Sequence, residues 1–171
     1  MTQNVTISAE TRAKIDQWLT KYPADRKQSA VLQALMFVQR DNGGSLTEAH
    51  MNAVAEYLEL PPIAVYEVAT FYDMYDLKPV GKNKIDVCTN ISCKLCGCDT
   101  IVSHLEKRLG IKIGQTTPDG RYTLKGVECL AACVGAPMMQ VNDFEYFEKL
   151  TPEKVDAILD RLEKEESNNG Q

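Results

Sequence analysis

The 171 residues hold 44% hydrophobic and 25% charged side chains and a net charge of −5, enough for one medium domain or two small ones with adequate cores. That acidity argues against a general nucleic-acid binder, whose phosphate contacts need clustered Lys and Arg. The opening MTQNVTISAE has no basic stretch followed by an apolar run, so no secretory signal is expected, and no stretch nears the roughly 18 consecutive apolar residues of a membrane span. The six cysteines are therefore expected as reduced thiols, free to ligate metal.

The first eighty residues read as helices. Ser8 reads as the N-cap of a helix with Ile15, Trp18 and Leu19 on one face. A second helix is expected from about Gln28, with Leu32, Leu35, Met36 and Val38 apolar, stopping near Gly43-Gly44. Thr47 caps a third, carrying Met51, Val54, Ala55 and Leu58, and the Pro61-Pro62 pair is expected to end it. A short fourth, with Val65, Val68 and Ala69, runs into the aromatic stretch FYDMYD. Together these predict a helical bundle over 1–80, with Pro79-Val80-Gly81 as a linker.

The periodicity then changes from helical to alternating. Lys84-Ile85-Asp86-Val87-Cys88 reads as a half-buried strand. Ile101, Val102, Leu105 and Leu109 form a helical stripe ending at Gly110. Arg121 to Val127, Met138 to Val141 and Tyr146-Phe147 read as strands. Thr151-Pro152 opens a last helix with Val155, Ile158, Leu159 and Leu162 inward, and the polar tail from Glu163 is expected to fray. The order β-α-β-β-(β)-α over 81–171 predicts a small α/β sandwich of thioredoxin-like type, so the fold class is α+β.

All six cysteines lie between residues 88 and 133, a clustering that packing alone explains poorly. A [2Fe–2S] cluster needs two thiolates on each iron, carried on loops that can wrap an inorganic core. Cys88-x4-Cys93 and Cys129-x3-Cys133 supply two such pairs, each just past a predicted strand. Gly135, Ala136 and Pro137 follow the second pair, and small residues let backbone N–H groups approach sulfur. Three rival readings use the same residues. Cys88, Cys93 and Cys96 with Cys129 match plant-type ferredoxin spacing. Cys93 and Cys96 with Cys129 and Cys133 could hold zinc, and Cys93-Lys94-Leu95-Cys96 could be a redox dithiol.

On these residues the chain resembles the thioredoxin-like [2Fe–2S] subunit family of respiratory complex I, the NADH dehydrogenase, from about Val31 to Leu162. The blocks LQALMFVQRDNGG, VYEVATFYDMYD, CTNISC, GIKIGQTTPDGRYTL and ECLAACVGAPMMQVND carry the resemblance. It implies a helical subdomain followed by a thioredoxin-like ferredoxin, with Cys88, Cys93, Cys129 and Cys133 holding one [2Fe–2S] cluster. It also implies one-electron transfer beside a larger subunit that binds NADH, FMN and a [4Fe–4S] cluster. The setting would be a peripheral arm on the cytoplasmic side of the inner membrane, with membrane contact only through the complex. Related subunits occur in NAD-linked hydrogenases and formate dehydrogenases. Cys96 and Cys98 depart from the family pattern and are expected to be bystanders.

No GxGxxG or Walker-type loop is present, so neither NADH nor FMN is expected on this chain. His50 and His104, the two histidines, read as surface or packing residues. Residues 47–72 have a helix-turn-helix rhythm that an iron–sulphur transcription regulator would use. Residues 46–76, however, hold six acidic groups and no Lys or Arg, so a recognition helix there could not hold phosphates. Part of the aromatic run Tyr66, Phe71, Tyr72 and Tyr75, with Met74, is expected to face the flavin subunit, with core packing as the alternative.

Overall fold

Residues 5–169 are described by this computed structural model, with side chains to residue 165. The opening MTQN and the last two residues of the polar tail, Gly170 and Gln171, lie outside the described residues. The chain divides into two compact units, one ending at Pro79 and the other beginning at Val80.

The first unit has four helices: α1 (Ala9–Leu19), α2 (Val31–Asp41), α3 (Glu48–Leu58) and α4 (Pro62–Phe71). Ser8 caps α1 by accepting the Thr11 N–H at 3.2 Å. Thr47 caps α3 in a capping box with His50, which places that histidine in a structural role. Ile15, Leu35, Leu46, Val54, Leu58 and Val65 are buried between the helices, each contributing roughly 1.5–3 kcal/mol.

Two details differ from the sequence reading. A 3-10 turn over Lys27–Ala30 precedes α2, so the α-helix proper starts at Val31, and Leu32 turns out to solvent. Helix α3 stops at Leu58 because Glu59 adopts a left-handed conformation (φ 58°), and Pro62 opens α4 instead of ending α3. The FYDMYD segment divides. Tyr75 is buried and donates its hydroxyl to the Leu32 carbonyl at 2.6 Å, while Phe71 and Tyr72 are exposed. Buried Gln39 anchors the segment, donating to the Met74 carbonyl at 3.0 Å and accepting the Asp76 N–H at 2.8 Å.

The second unit is a mixed five-stranded sheet with helices. Its elements are β1 (Asn83–Cys88), α5 (Ile91–Leu95), α6 (Cys98–Leu109), β2 (Gln115–Thr116), β3 (Tyr122–Val127), β4 (Met139–Val141), β5 (Glu145–Phe147) and α7 (Pro152–Asn169). The strand order is β2-β3-β1-β4-β5, with β1 and β3 parallel and the other pairs antiparallel. Ile101 and Leu105 of α6 and Val155, Leu159 and Leu162 of α7 pack on Ile85, Val87, Leu124, Met139 and Val141. Helix α7 continues through the polar segment to Asn169, where fraying from Glu163 was expected.

The reading of β1 as half-buried does not hold: all six residues are buried. The strand is central and paired on both edges, and charge draws its buried Lys84 toward Asp143 and Asp86. Lys84 Nζ lies 2.6 Å from Asp143 Oδ1 and 3.7 Å from Asp86 Oδ2. A strand that pairs on both sides runs its C-terminal residue, Cys88, into the middle of the sheet's edge, beside Val127 of β3. Parallel pairing thereby brings the two cysteine loops out at the same end of the sheet.

Candidate metal centre

The first loop leaves β1 at Cys88 and turns at once into α5. Asn90 starts that helix, its side-chain oxygen accepting the Ile91 N–H at 2.9 Å, and the single helical turn carries Cys93 inward. Cys88 and Cys93 are 2% and 1% exposed. The second loop follows β3, with Cys129 and Cys133 exposed and their sulfurs 3.3 Å apart. Ala131, with a left-handed backbone (φ 62°), turns its N–H toward Cys129 Sγ at 3.4 Å. Such an N–H approach to sulfur was expected from Gly135, Ala136 and Pro137; Ala131 makes it instead.

A clasp of polar residues joins the loops. The Thr89 N–H and hydroxyl both donate to the Val127 carbonyl, at 2.9 and 3.1 Å, and Asn90 Nδ2 donates to Glu128 Oε2 at 2.7 Å. Ser92 of α5 lies where its hydroxyl favours the charged form of Cys133. From below, the second loop is held by the segment after β5: the Lys149 N–H donates to the Gly135 carbonyl at 2.6 Å and the Leu150 N–H to the Pro137 carbonyl at 2.9 Å. The Glu148 side chain lies across Gly135, in the space a Cβ would need. None of Thr89, Asn90, Ser92 or Glu148 stands out in the sequence. The Thr-Asn pair directly after a strand is the one signal there, as a turn and cap signature.

Electrostatics groups the thiols around Cys88. Burial pushes the Cys93 thiol up to about 11, helped by a hydrogen bond with Cys88 and by the charges of Cys88 and Cys98, against an opposing hydrogen bond from the Met138 main chain. Cys133 is also raised, first by its hydrogen bond with Cys129 and further by the charges of Cys129 and Cys88, while Ser92 opposes. Cys98, fully buried, is raised by burial, then by Asp99 and by Cys88. Cys88 thus reaches Cys93, Cys98 and Cys133. Cys96 is exposed at the end of α5 and is not among the groups acting on Cys93, so the Cys93-Cys96 dithiol is not presented as a pair. Among the described residues no three His, Cys, Asp or Glu side chains converge as on a single metal ion. Four soft sulfur donors in a two-plus-two arrangement, with a backbone N–H aimed at one sulfur, fit a cluster of two irons.

Such a site at one end of a small mixed sheet defines a ferredoxin domain built on a thioredoxin-like framework. The chain belongs to the thioredoxin-like [2Fe-2S] ferredoxin family, whose model matches residues 15–163, and its cofactor is one [2Fe–2S] cluster. It is 50% identical over 144 residues to the NADH-quinone oxidoreductase E subunit of Rickettsia bellii, covering 84% of this chain and 86% of that protein. The protein of the same name in Rickettsia felis is 44% identical over 168 residues, covering 98% of this chain and 100% of the relative. NADH dehydrogenase [ubiquinone] flavoprotein 2 of Dictyostelium discoideum is 41% identical over 153 residues, covering 90% of this chain and 62% of that protein. Among solved structures, an NAD+-reducing [NiFe]-hydrogenase in the air-oxidized state shares the fold. Its TM-score is 0.66 at 21% identity, over 79% of this chain and 23% of that chain. The family resemblance read from sequence is therefore borne out, as is the α+β class. No helix among the described residues is long and apolar enough to cross a membrane.

Proposed function

We propose that this chain is the [2Fe–2S] electron-transfer subunit of an NADH:quinone oxidoreductase, with Cys88, Cys93, Cys129 and Cys133 as ligands. When bound, the cluster supplies one-electron redox chemistry at low potential; plant-type clusters sit at about −400 mV. Cys88 and Cys93 hold one iron and Cys129 and Cys133 the other, since each pair is adjacent in its own loop. The observation that carries this assignment is the clasp from Thr89 and Asn90 to Val127 and Glu128, which fixes the two thiol pairs at one end of the sheet. Ser92 and the Ala131 N–H donate toward thiolate sulfur and stabilise its charged form. Glu128, beside Cys129, adds negative charge and favours the oxidised state. Cys96 and Cys98 are not ligands.

The partner is the larger subunit carrying NADH, FMN and a [4Fe–4S] cluster, within a peripheral arm on the cytoplasmic side of the inner membrane. Nucleic acid is not a partner, and the membrane is met only through the complex. The Rickettsia relatives, named for NADH-quinone oxidoreductase, favour this over a hydrogenase or formate dehydrogenase assembly. The hydrogenase likeness, at 21% identity, speaks for the fold alone. Iron and acid-labile sulfide analysis should give about two of each per chain, with a rhombic S = 1/2 electron paramagnetic resonance signal after dithionite reduction. A zinc-only protein, or a silent reduced spectrum, sinks the assignment.

A further inference from the structure

Cys129 and Cys133 are both exposed, and their sulfurs already stand 3.3 Å apart. The stretch between them is folded back by Ala131, whose backbone is left-handed (φ 62°), and Cys133 opens the 3-10 turn that ends at Gly135. Two contacts hold that fold from within: the Ala131 N–H on Cys129 Sγ at 3.4 Å and the Gly135 N–H on the Ala132 carbonyl at 2.9 Å. A disulfide needs its sulfurs at about 2.05 Å, and an exposed loop can close the remaining gap by a small shift of two side chains.

The other thiols are placed differently. Thiol–disulfide exchange requires a sulfur that the oxidant can reach, so exposure decides which thiols react. Cys88, Cys93 and Cys98 are buried in one packed cluster with Met138, out of reach of a reagent in solution. Cys96 is exposed at the end of α5, but Cys93, its neighbour in the CxxC, is buried. We propose that in the metal-free chain Cys129 and Cys133 form a reversible disulfide by exchange with a small-molecule disulfide such as oxidised glutathione, closing the outer half of the cluster site while the inner pair stays reduced. This rests on the reading of Cys129 and Cys133 as ligands and adds a redox control on loading. In the first step one outer thiolate attacks the oxidant's S–S bond, forming a mixed disulfide and releasing one reagent thiolate. The second outer thiolate then attacks the protein sulfur of that mixed disulfide, forming the Cys129–Cys133 bond and releasing the other. The protein gives up two electrons and two protons, and the oxidant leaves as two thiols. A bridged pair offers iron no thiolate, and an exposed bridge is of the labile kind that excess thiol reopens.

The test uses the metal-free full chain, fully reduced and then exposed to oxidised glutathione without oxygen. The reaction is quenched in acid, the chain unfolded and alkylated, and the disulfides mapped by peptide mass. The expected product is a single internal bridge, Cys129 to Cys133, with Cys88, Cys93 and Cys98 alkylated as free thiols. Cys133→Ser should instead keep a glutathione adduct on Cys129, since no second thiol displaces it. Bridged and reduced chains are then offered the [2Fe–2S] cluster of a loaded scaffold protein, with no thiol or sulfide added. Uptake by the bridged chain should be at least about tenfold slower, and dithiothreitol should restore it. A bridge mapped to any other pair overturns the proposal, as does an outer loop with both thiols free after Cys96 has been modified. Equal uptake by bridged and reduced chains overturns the control on loading. A reduced chain that takes up no cluster overturns the ligand reading instead, and the disulfide map still reads the bridge.

Discussion

Cys88 and Cys93 sit in the protein's interior, one closing a central strand and the other on a helical turn, whereas Cys129 stands exposed on the loop after β3 and Cys133 at the start of a short 3-10 turn. The same thiol group is thus held in two ways. The inner pair is positioned by packing, with Cys98 and Met138 around it. The outer pair is positioned by hydrogen bonds: the Thr89 and Asn90 clasp above, and the Lys149 and Leu150 N–H groups below. An interior thiol resists rearrangement because its surroundings would have to move, while an exposed loop can adjust around an incoming iron. The difference assigns stability to the first loop and access to the second.

The largest expected effect separates the pairs directly. Cys88→Ser and Cys133→Ser should both lose the reduced paramagnetic signal. In the metal-free chain Cys88→Ser leaves a hydroxyl in an apolar pocket and should cost about 1–3 kcal/mol, while Cys133→Ser should stay within about 0.5 kcal/mol. Urea unfolding of the two metal-free variants measures this, and equal midpoints would remove the distinction.

A pH dependence comes next. The folded chain keeps the Cys93 proton up to about 11, against an ordinary thiol value of 9.0, because burial disfavours the thiolate. The unfolded chain releases that proton first, so the stabilising contribution is complete below pH 9 and fades as the pH rises toward 11. The urea midpoint of the metal-free chain should fall across that window, and Cys93→Ala should remove most of the slope. A slope that survives the substitution rules out Cys93 as its origin.

Smaller effects test the supports of the outer loop. Asn90→Ala deletes the hydrogen bond to Glu128 and should cost about 1 kcal/mol, with faster iron loss to a chelator than wild type. Chelator kinetics indistinguishable from wild type would mean the clasp is not needed once iron is bound. Gly135→Ala forces the Glu148 side chain aside. Glu148 is exposed and can rotate away, so the expected cost is below about 1 kcal/mol, and Glu148→Ala should relieve it in a double-mutant cycle. Additive losses in that cycle would show that the two residues do not meet.

Much of this was legible in the chain. Caps announced the helices at Ser8, Thr47 and Thr151; the Lys154 N–H bonds back to the Thr151 hydroxyl at 3.3 Å, as an N-cap should. Local rules failed where partners distant in sequence decided the outcome. Lys84 and Asp86 read as the solvent side of a strand, yet pairing on both edges and a partner at Asp143 bury them. Gln39 carries no local signal of its role, which depends on carbonyl and N–H groups more than thirty positions away. The five-residue α5 and two-residue β2 are too short for periodicity to register.

By itself the sequence determined the cysteine spacing, the helical first half, the change to alternating strands and the family, because these depend on residue type and local order. The tertiary structure alone decided which thiols lie inside and which outside, and which loop residues hold them. Those depend on the parallel pairing of β1 with β3, a contact between segments about forty residues apart that no local pattern encodes.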